Sequence, residues 1–412
     1  MKLKQIRVDG YKNLINCVVN LGDFNVLVGP NNSGKSNLLE ALQILWPMCF
    51  GDEKLRIGIL NGLTPRFTGD SSICHLPHHR NKPMTVGVAF EVAVDQKLWV
   101  VDYEVKVRFY DSEKKNGTFV WEKLTAKEPS KPGPARKYIW REDKHMEIVG
   151  KEHRIARGNS SLLAISSLYP DYEGLNLELK RFVEAINWLG MTNIFAISPA
   201  ALRSGIDEEK PIGDIRVSSF DLSFVLDGIK QEGKYYTLFK DSLCDILGLE
   251  AINFEVQIKQ HPSKDKGSKE TSKRLRYFLL KRHGDDYSLI EEYSDGTLVV
   301  AAILEALFSE KARGPILCLE ELENCLHPAA VEKLLGFLQD HAGKWPVLIT
   351  THSPYVLNCV NPEDVNVAIM DETGATHFEK VRNTKQLRDY LKSGFMSFGD
   401  MLASNFKDVL GK

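Results

Sequence analysis

An apolar run, Phe24 to Val28, passes directly into Gly29-Pro30-Asn31-Asn32-Ser33-Gly34-Lys35-Ser36, and a helical stretch from Ser36 to Leu45 follows. The spacing is GxxxxGK[ST], and its strand–loop–helix setting restricts the chain to a fold with a phosphate cradle at a strand tip. Gly29 and Gly34 let the backbone curl so that its N–H groups converge on anionic oxygens. The helix that follows adds its positive end. Gly29, Asn31, Asn32, Ser33, Gly34, Lys35, Ser36 and Asn37 are therefore predicted to wrap a triphosphate, with Lys35 on its β/γ groups and Ser36 a ligand of Mg²⁺.

The complementary chemistry lies near the other end. Pro315 to Leu319 reads as a short buried parallel strand ending in Glu320-Glu321. A carboxylate at such a tip can hold the metal, and the next can polarise a water; Glu320 is assigned to the first task and Glu321 to the second. After a helix from Pro328 to Asp340, the strand Val347 to Ile349 leads into Thr350-Thr351-His352-Ser353-Pro354. This puts His352 at a second tip, where an imidazole can bond a γ-phosphate or the water. Glu321 and His352 are the predicted catalytic pair.

Tyr293-Ser294-Asp295-Gly296-Thr297 precedes an apolar helix, Val299 to Phe308. A small-residue turn opening a helix binds anions through its unsatisfied N–H groups. The chain already has one phosphate loop, so Ser294, Asp295 and Gly296 are predicted to serve the nucleotide of a partner subunit. A plain helix cap by Ser294 or Asp295 is the alternative.

In this order, the motifs resemble those of ABC-type ATPases of the SMC/RecF kind. They look most like the branch holding overcoming-lysogenization-defect (OLD) ATPases and the ATPase subunits of bacterial antiphage systems such as Septu and PARIS. The segments that carry the resemblance are Leu3–Leu14 (LKQIRVDGYKNL), Phe24–Leu42 (FNVLVGPNNSGKSNLLEAL), Leu319–Pro328 (LEELENCLHP) and Thr350–Pro354 (TTHSP). The resemblance implies an α/β fold: an ABC-type ATPase head with a mixed or parallel core sheet, an antiparallel β lobe and a helical insertion. It implies ATP and Mg²⁺ as cofactors and an oligomer, at least a dimer, built through an ATP sandwich. The chain departs from the pattern at Asp295, where transporters carry Gly, and at Glu320, where Asp is usual. A Gln-loop glutamine is not apparent after the strand Asn193 to Ile197, where Arg203 is the candidate substitute.

The motifs divide the chain into an ATPase core at 1–60 and 286–412, an antiparallel lobe with a connecting helix at 61–200, and a helical insertion with a basic hairpin at 201–285. Thr85 to Val94 and Leu98 to Tyr110 alternate as strands, and Asn116-Gly117 is predicted to turn a two-residue hairpin into Thr118 to Leu124. Lys127 to Arg136 reads as a loop. Leu179, Phe182, Val183, Ile186 and Leu189 mark one helix face closed by Gly190. Residues 205–249 are read as helical and mixed, without heptads. Between Lys259 and Arg282 nine basic residues, among them Lys273, Arg274 and Arg276, stand against Asp265 and Glu270. They form either a solvated hairpin loop or a patch that tracks DNA or RNA. Cys74-His75-Leu76-Pro77-His78-His79 matches no standard zinc spacing and reads as a loop.

Composition sets the outer limits. A chain of 412 residues, 43% hydrophobic and 26% charged, can bury a large core. It has no run of 18 apolar residues and no apolar leader, and its seven cysteines read as reduced thiols; a cytoplasmic protein without membrane contact is expected. A net charge of −2 gives no global pull toward nucleic acid. The 60 residues after His352 show no acidic cluster fit for DNA cleavage, so any nuclease or toxin effector is expected on a separate polypeptide. The leading expectation is an ATPase that senses and scaffolds in antiphage defence. The alternative is a RecF-like repair or DNA-clamping ATPase; a transporter subunit is disfavoured by the span between Ser36 and Ser294.

Overall fold

The computed structural model describes residues 1–51, 82–109, 117–156, 159–169, 174–190, 192–204, 216–217, 229–231, 233–249, 254–261, 273–281, 287–289, 293–309, 314–382, 387, 389 and 397–404. In chain order, β1 (Lys2–Asp9), β2 (Cys17–Asn20) and β3 (Phe24–Val28) lead to helix α1 (Lys35–Phe50). Next come β4 (Met84–Val94), β5 (Lys97–Phe109), β6 (Gly117–Lys127), β7 (Arg136–Glu142), β8 (His145–Ile148) and β9 (Lys151–Arg154). Helices α2 (Ser161–Leu168) and α3 (Leu177–Leu189), strand β10 (Ile194–Phe195), α4 (Pro199–Ser204), β11 (Arg216–Val217) and α5 (Tyr236–Leu247) follow. Then come β12 (Phe254–His261), β13 (Lys273–Lys281), β14 (Tyr287–Leu289), α6 (Asp295–Phe308), β15 (Leu317–Glu320) and α7 (Pro328–His341). The chain closes with β16 (Val347–Thr351), α8 (Pro354–Asn358), β17 (Val365–Met370), β18 (Thr376–Lys380) and α9 (Phe398–Ser404).

Two sheets form the body, and the residue pattern of each strand decides where it goes. β3 is buried along its whole length, as the two-sided burial of a parallel sheet demands. It lies inside a seven-stranded sheet of order β11-β10-β15-β16-β3-β17-β18, parallel except for β18. β1 instead alternates, with Leu3, Ile6 and Val8 buried, and pairs antiparallel with β4 so that Ile6 faces Val88 and Val8 faces Val86. It belongs to an eight-stranded antiparallel sheet of order β2-β1-β4-β5-β6-β7-β8-β9. Sheet membership therefore cuts across the expected ranges: β1 and β2 join the antiparallel lobe, and β10 joins the parallel sheet.

The core has two parts that meet along β3 and α1. One packs α1, α2 and α3 against the antiparallel sheet, and the predicted face Leu179, Phe182, Val183, Ile186 and Leu189 is fully buried in it. The other packs α6 and α7 on the parallel sheet. Every residue of α6 from Leu298 to Phe308 is buried, which is why this helix is apolar all round. Between the antiparallel sheet and α1, Tyr103 donates to Glu122 at 2.8 Å and lies 3.1 Å from the Cys49 sulfur at the far end of α1. Glu122 also accepts from the Ser161 N–H at 2.6 Å, opening α2, while the buried Arg141 lies 3.7 Å from it. Both charges are fully buried, so their mutual pairing and hydrogen bonds offset a large desolvation cost.

Three local expectations change. Gly117 pairs opposite Phe109 as the first residue of β6, so it is not a turn residue; Asn116 lies outside the described residues. The strand expected over Asn193 to Ile197 shrinks to two residues, because the chain turns into α4 at Pro199. Helix α1 runs on through Pro47 to Phe50, since that ring sits in the last turn and its carbonyl still accepts the Gly51 N–H. The 74–79 segment, and most of 205–228 and 383–396, lie outside the described residues.

Candidate nucleotide site

The parallel order sets the site. β16 lies beside β3 with Thr351 opposite Val28, and β15 lies beside β16 with Glu320 opposite Thr350. Three strands thus end level with one another, placing Gly29, Glu320-Glu321 and His352 along one edge. Gly34 takes φ 87° at the N-cap of α1 without a side-chain cap, leaving the first-turn N–H groups to face an anion. Asn32 holds φ 66°, a left-handed turn that asparagine tolerates. The curl is close-packed: a Cβ on Gly29 would stand 2.7 Å from Ser33 Oγ and 2.9 Å from Ala368 Cβ. Ser33 Oγ is buried and has no hydrogen-bond partner. Asn31 and Asn32 are exposed at the tip, and Ser36 is half-buried at the start of α1.

Lys35 is 6% exposed and donates to the carbonyls of Gly29 and Pro30 at 2.8 and 2.9 Å. Burial holds its ammonium below the ordinary lysine range, against the raising effect of Glu321, Glu320 and Glu323. The charges of three carboxylates therefore act on the loop cation. Glu321 sits at φ 47°, its N–H donating to Thr350 O at 2.9 Å. One of its oxygens lies 3.2 Å from His352 Nδ1 and the other accepts from Asn324 at 3.1 Å. The side chains of Glu321 and His352 remain 37% and 47% exposed, so both can reach a ligand.

Two residues outside the predicted set complete the scaffold. Glu323 accepts a 2.5 Å hydrogen bond from Thr351 Oγ1, which itself accepts the Ser353 N–H at 3.0 Å. Glu323 thereby ties the acidic loop to the segment carrying His352, and its second oxygen is buried without a partner. Asn13 donates to Thr376 Oγ1 at 2.9 Å and accepts from Asn37 at 2.7 Å, and its Oδ1 closes the space behind Gly34. Asn37 is thus engaged by Asn13. Glu323 was within reach of the sequence, as one of three glutamates in Leu319–Asn324; Asn13 gave no local signal, because its partner is 363 positions away.

Ser294 caps α6, its hydroxyl accepting the Thr297 N–H at 3.3 Å, with Asp295 exposed in the first turn. A Cβ on Gly296 would meet Cys325 O at 3.2 Å, so this turn abuts the loop that follows Glu321. Lys273, Arg274 and Arg276 fall on β13 opposite His261, Gln260 and Ile258 in a hairpin, in a different sheet from the nucleotide edge.

A phosphate loop and carboxylates at one edge of a parallel sheet, with an antiparallel lobe beside it, define the P-loop fold of SMC-type heads. The chain is similar in fold to the SMC head bound to the C-winged helix domain of ScpA, with TM-score 0.51 at 14% identity over 94% of this chain and 100% of that one. It also matches the Smc head with an extended coiled coil from Pyrococcus furiosus, at TM-score 0.49 and 12% identity over 95% and 99% of the two chains. Residues 1–145 match the family model described as AAA ATPase domain. Residues 204–358 match the one described as "AAA domain, putative AbiEii toxin, Type IV TA system". No curated protein sequence matches the chain.

Proposed function

We propose that this chain binds and hydrolyses ATP, slowly, as the sensor and scaffold subunit of a bacterial antiphage complex whose effector is a separate nuclease or toxin. The observation that carries the ATPase reading is the gathering at one sheet edge of the loop cation Lys35, the carboxylates of Glu320, Glu321 and Glu323 that act on it, and His352 beside Glu321. In this reading Lys35 leaves its two carbonyls for the β/γ-phosphates, and the loop N–H groups hold the chain of phosphates. Ser36 and Glu320 would hold a Mg²⁺ ion, which supplies charge neutralisation when bound. Glu321 takes the proton of the attacking water, and His352, 3.2 Å from Glu321, orients that water against the γ-phosphate. Ser294, Asp295 and Gly296 complete the site of a second copy.

The defence role rests on the family model named for a toxin of a type IV system, matched over 204–358. The scaffold role draws on the fold likeness to a head solved with a bound partner protein. The test is the solution mass of the Glu321→Gln protein co-expressed with its neighbouring gene product, with and without Mg²⁺-ATP. A stable co-complex with a partner bearing nuclease or toxin chemistry is expected. Plasmid degradation by the purified chain alone would overturn the separation of ATPase from effector.

A further inference from the structure

The edge of the parallel sheet opposite the nucleotide loop carries a feature that the ATPase reading does not use. Tyr235 is fixed as a rigid platform, stacked on Phe308 at 5.7 Å and edge-on to Trp345 at 5.5 Å. Over its ring lie two ammonium groups from different elements: Lys234 at 4.9 Å and Lys344 at 4.7 Å, the latter also 4.3 Å over Trp345. Next to it, the ring of Tyr236 carries Lys230 at 6.0 Å and Lys240 at 5.4 Å. His341 stacks on Trp345 at 5.6 Å, with Nδ1 engaged by the Phe337 carbonyl at 2.8 Å. Lys230, Lys234 and Lys344 are exposed, and Lys240 is half-buried.

Lys234 first, and Lys344 with it, hold the Tyr235 phenol below the ordinary tyrosine range through hydrogen bonding and charge. Two ammonium groups converging over one ring from different elements make a geometry suited to a phosphate group. Aromatic rings hold all four lysines in place, which lowers the entropy lost when they bind.

From this we infer that the Tyr235–Tyr236 surface, with Lys230, Lys234, Lys240 and Lys344, is a docking site for the phosphate backbone of a nucleic acid. A bilayer is the poorer match: the large apolar side chains exposed among the described residues, Val18, Leu98, Leu168, Leu177, Tyr355 and Met370, do not include one in this patch to act as a wedge. The surface also lies away from the nucleotide. Trp345 precedes β16 and His352 follows it, so a five-residue strand of about 17 Å separates the two ends. Phe308, under Tyr235, closes the same helix α6 that Ser294 opens, about 21 Å away along its axis. Nucleic acid and ATP can therefore be bound at once.

The test is fluorescence anisotropy with labelled single-stranded DNA and RNA over a salt series, on the full chain. The wild type is expected to lose affinity with rising salt, with a log–log slope of roughly −0.7 per phosphate contact, or about −3 for four lysines. Lys→Glu changes at 230, 234, 240 and 344 should abolish most of that slope and weaken binding at least about tenfold. Lys→Gln changes at the same four positions guard against misfolding, checked by the retained melting curve. Saturating Mg²⁺-ATP should leave binding intact. The DNA and RNA arms separate the two sources of the same backbone chemistry. Unchanged affinity in both variant sets would overturn the inference. So would displacement by ATP, which would put the polyanion in the phosphate loop, or binding to anionic vesicles with none to either oligonucleotide. An equal loss from changing Lys273, Arg274 and Arg276 alone would move the surface to β13 and overturn it as well.

Discussion

Lys35 is a buried cation that two backbone carbonyls hold in waiting. Its Lys35→Ala variant should lose about ten- to a hundredfold in nucleotide affinity by calorimetry, the worth of its charge-assisted bonds to phosphate. Because burial lowers its pKa in the folded chain, the native state holds fewer protons than the unfolded one between the two values. Stability of the ligand-free protein should therefore rise with pH across that alkaline window. Nucleotide affinity should move the other way, falling as the ammonium that the phosphates require is lost; titrations at stepped pH distinguish the two trends. The acids should separate by role. Glu321→Gln should keep ATP binding and lose about 10²–10⁴ in turnover. Glu323→Ala removes the acceptor of Thr351 and should lower kcat about tenfold with ATP affinity unchanged. Glu323→Gln, which still offers an oxygen, should recover much of that loss. A matching loss of affinity in Glu323→Ala would assign it to ligand contact instead of positioning His352.

At the level of elements, the parts that could be read ahead were those whose signal is local. The run Phe24–Val28 ends where the strand ends, and the five predicted apolar positions of α3 are all buried, with Ala185 beside them. The acids and the imidazole came to one edge because short apolar strands ending in polar residues belong in a parallel sheet. Partners distant in sequence were not legible: nothing around Asn13 announces Thr376, and nothing in β1 says that it pairs with β4 and not with the core. Gly190 shows the same limit. Its φ of −68° suits any residue, yet a Cβ there would lie 2.0–2.1 Å from Trp46 on α1. Gly190→Ala should accordingly destabilise the chain by about 1–3 kcal/mol in chemical denaturation, through overpacking. Trp46 donates to Asn187 at 2.7 Å, so part of that strain should pass to the helix of the phosphate loop.

For the whole molecule, the proposed sharing of a site between copies makes a quantitative prediction about mixtures. Lys35→Ala and Ser294→Ala proteins should each be inactive alone. Mixed in equal amounts they should regain roughly a quarter of wild-type hydrolysis, since half the dimers hold one intact composite site of two. No recovery on mixing would confine each site to a single chain. The sheet order also bears on how the protein is made. β3 pairs with β16 and β17, and Val26 meets Ile349 and Val365. At about 5–20 residues per second the ribosome takes roughly 15–65 s to deliver those neighbours. For that time a wholly apolar strand and the loop behind it must be shielded by something other than their native sheet. The yield of folded protein should therefore depend on chaperone supply and translation speed more than on the stability of the finished fold.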